Sequence, residues 1–144
     1  RFEITDLIFE IMATIKRFED LELWVEARVL ANKIFVISEQ GKFQKDFRFK
    51  DQIRSASGSI MDNIAEGFER SSRLEFIQFL GIAKGSCGEV KSQLYRALDQ
   101  TYINQGDFDA LYEMCEKLAA GIAGFIQYLN KSPYKGQKFK DRSA

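Results

Sequence analysis

The sequence contains no histidine at all. That removes the side chain that most often serves as general base and as metal ligand near neutral pH. It also removes the Glu-x-x-His pairs that build di-iron sites inside helical bundles. There is one proline, Pro133, so everything before it is free to form long uninterrupted helices. The two cysteines, Cys87 and Cys115, are too few for a disulfide framework and read as small buried residues of a reduced compartment. Net charge is absent as well: 21 basic residues face 21 acidic ones, so the chain as a whole is no basic nucleic-acid binder. No apolar run reaches the ~18 residues of a transmembrane helix. The opening RFEITDLIFEIMATIK carries acids inside its apolar stretch and no basic lead, which makes it a poor signal peptide. A cytoplasmic protein is the expectation.

What is present is a globular balance, 45% apolar and 29% charged over 144 residues, enough for one domain with a single core. Four segments have helical periodicity. The first runs from about Phe18 to Ser38, with Leu21, Trp24, Ala31, Ile34 and Phe35 on one face and Gly41 as a stop beyond it. The second runs from about Phe47 to Phe68, with Ile53, Ala56, Ile60 and Ile64 in step. Ser72 and Glu75 fit a capping box for the third, which continues through Phe76, Leu80, Ala83, Cys87, Val90, Leu94 and Ala97. The spacing predicts a turn at Asn104-Gln105-Gly106 and a fourth helix capped by Asp107, ending at Lys131-Ser132-Pro133. Short links between long amphipathic helices predict an all-α fold, an antiparallel up-down-up-down four-helix bundle over residues 18–130. Residues 131–144 read as a polar tail. Residues 1–17 read as an N-terminal extension, either an ordinary extra turn or arm, or a segment partly upstream of a start at Met12.

The first helix is too apolar for one core. Leu23, Leu30 and Ile37 recur every seven residues, with Val25, Val29 and Val36 nearby. Two apolar stripes suggest contact on two sides, and Leu23, Leu30 and Ile37 are the expected subunit interface; the alternative is a central helix covered by the other three. Small residues crowd the second and third helices: Ser55, Ala56, Ser57, Gly58 and Ser59, then Gly81, Ala83, Gly85, Ser86 and Gly88. A mid-helix glycine costs about 1 kcal/mol against alanine, so close approach of helix backbones is expected at these positions.

Three further features bear on function. Lys42, Lys45, Arg48 and Lys50 alternate with Phe43, Phe47 and Phe49, and Arg54 follows one turn on. Across residues 42–54 five basic groups face two acidic ones, a local excess of three. Cations neutralise phosphates and rings stack on bases, so Lys42, Lys45, Arg48, Lys50 and Arg54 are the candidate nucleic-acid contacts; the alternative is core phenylalanines under a solvated charged face. The tail adds Lys131, Lys135, Lys138, Lys140 and Arg142 against Asp141. Asn63, Glu66 and Gly67, with Gln52, Arg54 and Arg70 near them, read as a packing and helix-register motif more than as a ligand site. No nucleophile has a base to activate it, both cysteines lie on apolar faces, and DQTYINQGD lacks the ligand spacing of a calcium loop. The expectation is a non-enzymatic protein with no cofactor, no metal, no small-molecule substrate and no membrane partner.

These motifs also carry a resemblance. FEDLELWVEARVLANKIF, DQIRSASGSIMDNIAEGFERSS and EFIQFLGIAKGSCGEVKSQL resemble the four-helix bundle family first described from open reading frames in intervening sequences of bacterial 23S ribosomal RNA. The match covers about Phe18 to Leu129. Met61-Asp62 stands where the family often has Pro-Ser, and Gly58 where a larger apolar residue is usual. The resemblance implies a bundle that assembles into a homopentamer. It extends to accessory proteins of diversity-generating retroelements, basic pentamers that bind a reverse transcriptase and nucleic acid, whereas this chain is neutral. Two functional expectations follow: an oligomeric scaffold that contacts another protein, and an RNA-binding module using the basic-aromatic segment. An enzyme is a distant third.

Overall fold

The computed structural model describes residues 14–131. The basic tail beyond Lys131 and the segment before Thr14 lie outside the described residues, and with them most of the expected extension and tail. Among the described residues the secondary structure is helical with no strand. A 3-10 turn at Phe18–Asp20 leads into α1 (Glu22–Ser38), a short α2 (Gly41–Lys45), and the long α3 (Phe47–Glu69), α4 (Arg73–Asp99) and α5 (Gln105–Lys131).

The helix ends follow from local chemistry. Gly41 takes φ +54°, a left-handed turn that glycine enters freely, and it separates α1 from α2. Asp46 caps α3 by accepting from the Phe49 N–H at 3.2 Å, and Ser72 caps α4 by accepting from Glu75 N–H at 3.2 Å. Only half of the expected capping box forms, because the Glu75 carboxylate turns to Arg70 at 3.5 Å instead. The cap of α5 is Asn104, not Asp107: Asn104 Oδ1 accepts from the Asp107 N–H at 2.7 Å, so the helix starts three residues earlier than expected. The preceding turn is closed by Tyr102 N–H to Ala97 O, with Thr101 at φ 57° where glycine usually sits.

The four long helices close on one another: α3 packs between α1 and α4, and α5 packs between α4 and α1. Contacts along α3 and α4 run in opposite order, Phe68 with Phe76, Ser59 with Ser86 and Gln52 with Arg96. The same holds for α4 and α5, with Arg73 donating to Leu129 O, Lys91 paired to Glu116 and Tyr95 against Phe108. These two pairs are therefore antiparallel. Inside, Leu30, Ile34, Ile53, Ile60, Ile64, Phe76, Leu80, Leu94, Leu118 and Ile122 are fully buried. The cysteines are buried in this core, and burial pushes Cys87 up to about 11 and Cys115 up to about 12, so both stay thiols at neutral pH.

Two sequence expectations need correction. Leu30 is 0% exposed and belongs to the core, so it is no interface residue; Leu23 and Ile37 are half-buried and pack on that core. The glycines of the helix interiors are also not explained by close approach within the chain. A Cβ built at Gly58, Gly81, Gly85 or Gly88 would meet nothing within 4 Å.

Among the glycines of α3 and α4, Gly67 is the exception. A Cβ there would lie 2.7 Å from Phe79 Cβ and 2.9 Å from Phe76 Cδ1, so α3 and α4 touch almost backbone to side-chain root at this point. Phe79 Cβ is fixed to its own backbone and cannot yield without moving α4. Gly67→Ala should therefore destabilise the fold by about 1–3 kcal/mol despite alanine's better helix propensity. Chemical denaturation checks this, and a variant as stable as the parent would contradict the tight seam.

Candidate functional surfaces

The basic-aromatic segment divides once folded. Phe43 is 0% and Phe49 4% exposed, and the two rings stack at 5.4 Å with Tyr102 at 5.2 Å from Phe43. They form the core at one end of the bundle and offer no face to a base. The Tyr102 hydroxyl donates to Asp46 Oδ2 at 2.7 Å, and Lys42 Nζ donates to Thr101 Oγ1 at 2.9 Å, so the α4–α5 turn is tied to the α2–α3 corner. Of the five candidate cations, Arg54 and Lys50 are engaged with α1. Arg54 reaches Glu39 at 3.2 Å and Ser38 Oγ at 2.8 Å, with its guanidinium 4.0 Å from the Phe35 ring centre; Lys50 reaches Glu39 at 3.6 Å. Glu39 is held below its ordinary pKa chiefly by Arg54. Lys42, Lys45 and Arg48 are exposed, and Phe47 stands among them at 69% exposure.

The Asn63-Glu66-Gly67 motif is a set of separate contacts. Asn63 Nδ2 donates to Ser59 O at 2.8 Å and Ser59 Oγ at 2.9 Å, and Ser86 of α4 donates to the same Ser59 oxygen at 3.0 Å. Glu66 pairs with Arg70 on the surface at 3.0 Å. Gln52 and Arg54 join neither; Gln52 contacts Arg96. Asn63 thus helps hold the α3–α4 register through Ser59, and Gly67 sets the distance between the two helices.

On α1 the outer face is an apolar ridge that sequence reasoning assigned to the wrong positions. Val25, Val29 and Val36 are 40%, 43% and 50% exposed, with Asn32 completing a four-three-four spacing along one line. Phe35, expected in the core, is 49% exposed beside it. The core side of the same helix is Ala27, Leu30, Ile34 and Ser38. A second surface went unnoticed in the sequence: a groove of about 450 Å³ lined by Asp51, Gln52 and Ser55 of α3 and Glu89, Ser92, Gln93 and Arg96 of α4. Its residues are a turn apart on two different helices, a relation only the packing reveals.

No group of three or more acidic or cysteine side chains is placed to hold a metal ion among the described residues, and none of their helices is long and apolar enough to cross a membrane.

The fold defines the class first: a closed helical bundle whose polar clusters mostly serve caps, register and ion pairs. A family model described as 23S rRNA-intervening sequence protein matches residues 19–124, and the chain belongs to that family. A solved structure from Bacteroides thetaiotaomicron, a protein of unknown function from the S23 ribosomal protein family, is similar in fold. It aligns at a TM-score of 0.67 and 22% identity, covering 73% of this chain and 98% of that one. No curated protein matches.

The Asp46–Tyr102 tie gives a pH prediction. The Tyr102 hydroxyl, then the Phe49 N–H, hold the Asp46 carboxyl below its usual range. A depressed carboxylate pKa contributes stability that is present above the unfolded value of about 3.9 and is lost as pH falls through the folded value. Asp46→Asn keeps a good cap but removes the charge. The parent should be the more stable at pH 7, and the gap in melting temperature should narrow below about pH 4. A gap independent of pH would show that the charge contributes nothing.

Proposed function

We propose that this chain works as a non-enzymatic homo-oligomeric bundle, a binding or scaffold protein associated with ribosomal RNA intervening sequences. The observation that carries this reading is the outer ridge of α1. Three valines at coiled-coil spacing, flanked by Phe35, lie opposite the helix's own core face. A helix apolar on two sides needs two partners, and the described residues supply only one. The family resemblance sets the expected number of copies at five. Light scattering should give a mass several times that of one chain. Val29→Asp with Val36→Asp should yield monomers that keep their helical circular dichroism, since neither residue belongs to the core. A parent protein that stays monomeric at high concentration would end the proposal.

A second reading, RNA binding, is supported by one specific feature: Phe47 is exposed in the segment that carries the exposed Lys42, Lys45 and Arg48, with Lys50 Nζ 5.1 Å from its ring centre, a ring for stacking and cations for phosphates. It calls for binding of structured RNA at low salt with roughly micromolar affinity, and Lys45→Glu with Arg48→Glu should weaken it and lower the salt slope by about two. Gel-shift titrations at several salt concentrations test this; binding indifferent to both substitutions would sink it.

A further inference from the structure

The α3–α4 groove holds an unfinished polar site. Gln93 is 4% exposed, and its Oε1 is buried with no hydrogen-bond partner among the described residues. Its Nε2 donates to Glu89 Oε2 at 3.4 Å. A carboxylate can only accept, so the amide must turn its N–H₂ toward Glu89, which fixes the carbonyl on the other side as an orphan acceptor. Such an atom is costly to leave unsatisfied. The groove around it is rich in further acceptors. Asp51 comes from α3 and Glu89 from α4, and neither forms an ion pair among the described residues. Ser55 and Ser92 add hydroxyls. The one cation of the lining, Arg96, pairs with neither carboxylate: its guanidinium lies 4.4 Å from the Phe49 ring centre and its Nη1 reaches Gln52 Oε1 at 3.5 Å.

We propose that this groove is a binding site for a guanidinium or primary-ammonium group, held between Asp51 and Glu89 with the Gln93 carbonyl as third acceptor. The arrangement supplies two charges and a neutral acceptor, which matches a cationic donor and no anion. The terminal torsion of a glutamine is soft, so a small rotation brings Oε1 to an entering N–H. The volume of about 450 Å³ accommodates an arginine-sized side chain or a short polyamine. The site is separate from the α1 ridge, so it stands or falls independently of the oligomer reading.

The probes are agmatine, spermidine and N-acetyl-arginine methylamide, with N-acetyl-glutamate methylamide as the control, added to the intact protein at low ionic strength. Agmatine should shift the Gln93 side-chain amide signals saturably in heteronuclear NMR. Glu89→Gln and Asp51→Asn should each weaken binding by about tenfold, the scale of one charged hydrogen bond. Gln93→Met, which removes the orphan acceptor, should raise the melting temperature of the free protein and abolish the further rise that agmatine gives the parent. Preference for agmatine and spermidine over the arginine amide identifies a free amine as the ligand; equal or tighter binding of the amide identifies a side chain of another protein. No saturable shift up to roughly 10 mM, a Kd too weak for a built site, overturns the proposal. So does binding unaltered by Asp51→Asn and Glu89→Gln, or a Gln93→Met protein less stable than the parent, which would mean that ordered water already satisfies the carbonyl.

Discussion

The close seam between α3 and α4 is the constraint on which the other features depend. Gly67 lets Phe79 and Phe76 approach to distances no Cβ would allow, and Ser59 with Ser86 bridges the same two helices nearer their middle. Ala56 and Ala83, both buried, keep the interval small between them. With α3 and α4 held at this spacing and in this register, Asp51 and Glu89 face one groove. The same register brings Arg96 over Phe49 and so closes the aromatic end of the core. Helices α1 and α5 then complete the bundle against this pair. The motif that the sequence suggests as packing and register acts as a spacing device, and the groove it helps to set lies roughly two to four turns away along α3.

The legible parts of the sequence were those where apolar and polar residues alternate cleanly. Ile53, Ile60 and Ile64 on α3, and Phe76, Leu80, Cys87, Val90 and Leu94 on α4, are buried where periodicity put them, because their opposite faces are plainly polar. Helix α1 was misread for the same physical reason in reverse. Val25, Val29, Leu30, Ile34, Phe35, Val36 and Ile37 leave almost no polar side, so the pattern detects a surplus of apolar surface but cannot assign it. Leu30 is core and Val29 is not, and only packing tells one from the other. The cap of α5 failed differently, since Asn104 and Asp107 are equally good caps by residue type and the turn around Thr101 decides between them. The groove was out of reach altogether, because Asp51 and Glu89 are distant in sequence and only the packing of α3 on α4 brings them to one groove.

Charge gives a similar lesson about counting. The local excess between Lys42 and Arg54 is real in the sequence, yet Glu39 of α1 takes up two of the five cations and Phe35 covers one of these from above. What remains for a partner is a smaller patch around Phe47. The neutral total of the chain hides this division, since acidic and basic groups cancel in the sum but not on the surface.

Several costs in this chain have no return among the described residues. Gly81, Gly85 and Gly88 fall on exposed positions of α4 at three- and four-residue intervals, with open space where a side chain would be. Each weakens the helix by about 1 kcal/mol relative to alanine, and none admits a neighbour from the same chain. The valine ridge of α1 leaves apolar surface in water, and the Gln93 carbonyl is dry and unpaired. These are different kinds of penalty, one in backbone entropy, one in hydration and one in hydrogen bonding, at three separate places. A core as complete as this one, with large side chains fully buried from all four long helices, does not need them for folding. The common physical reading is that the apolar core is complete while the backbone, hydration and hydrogen-bonding penalties at these three places are left uncompensated among the described residues.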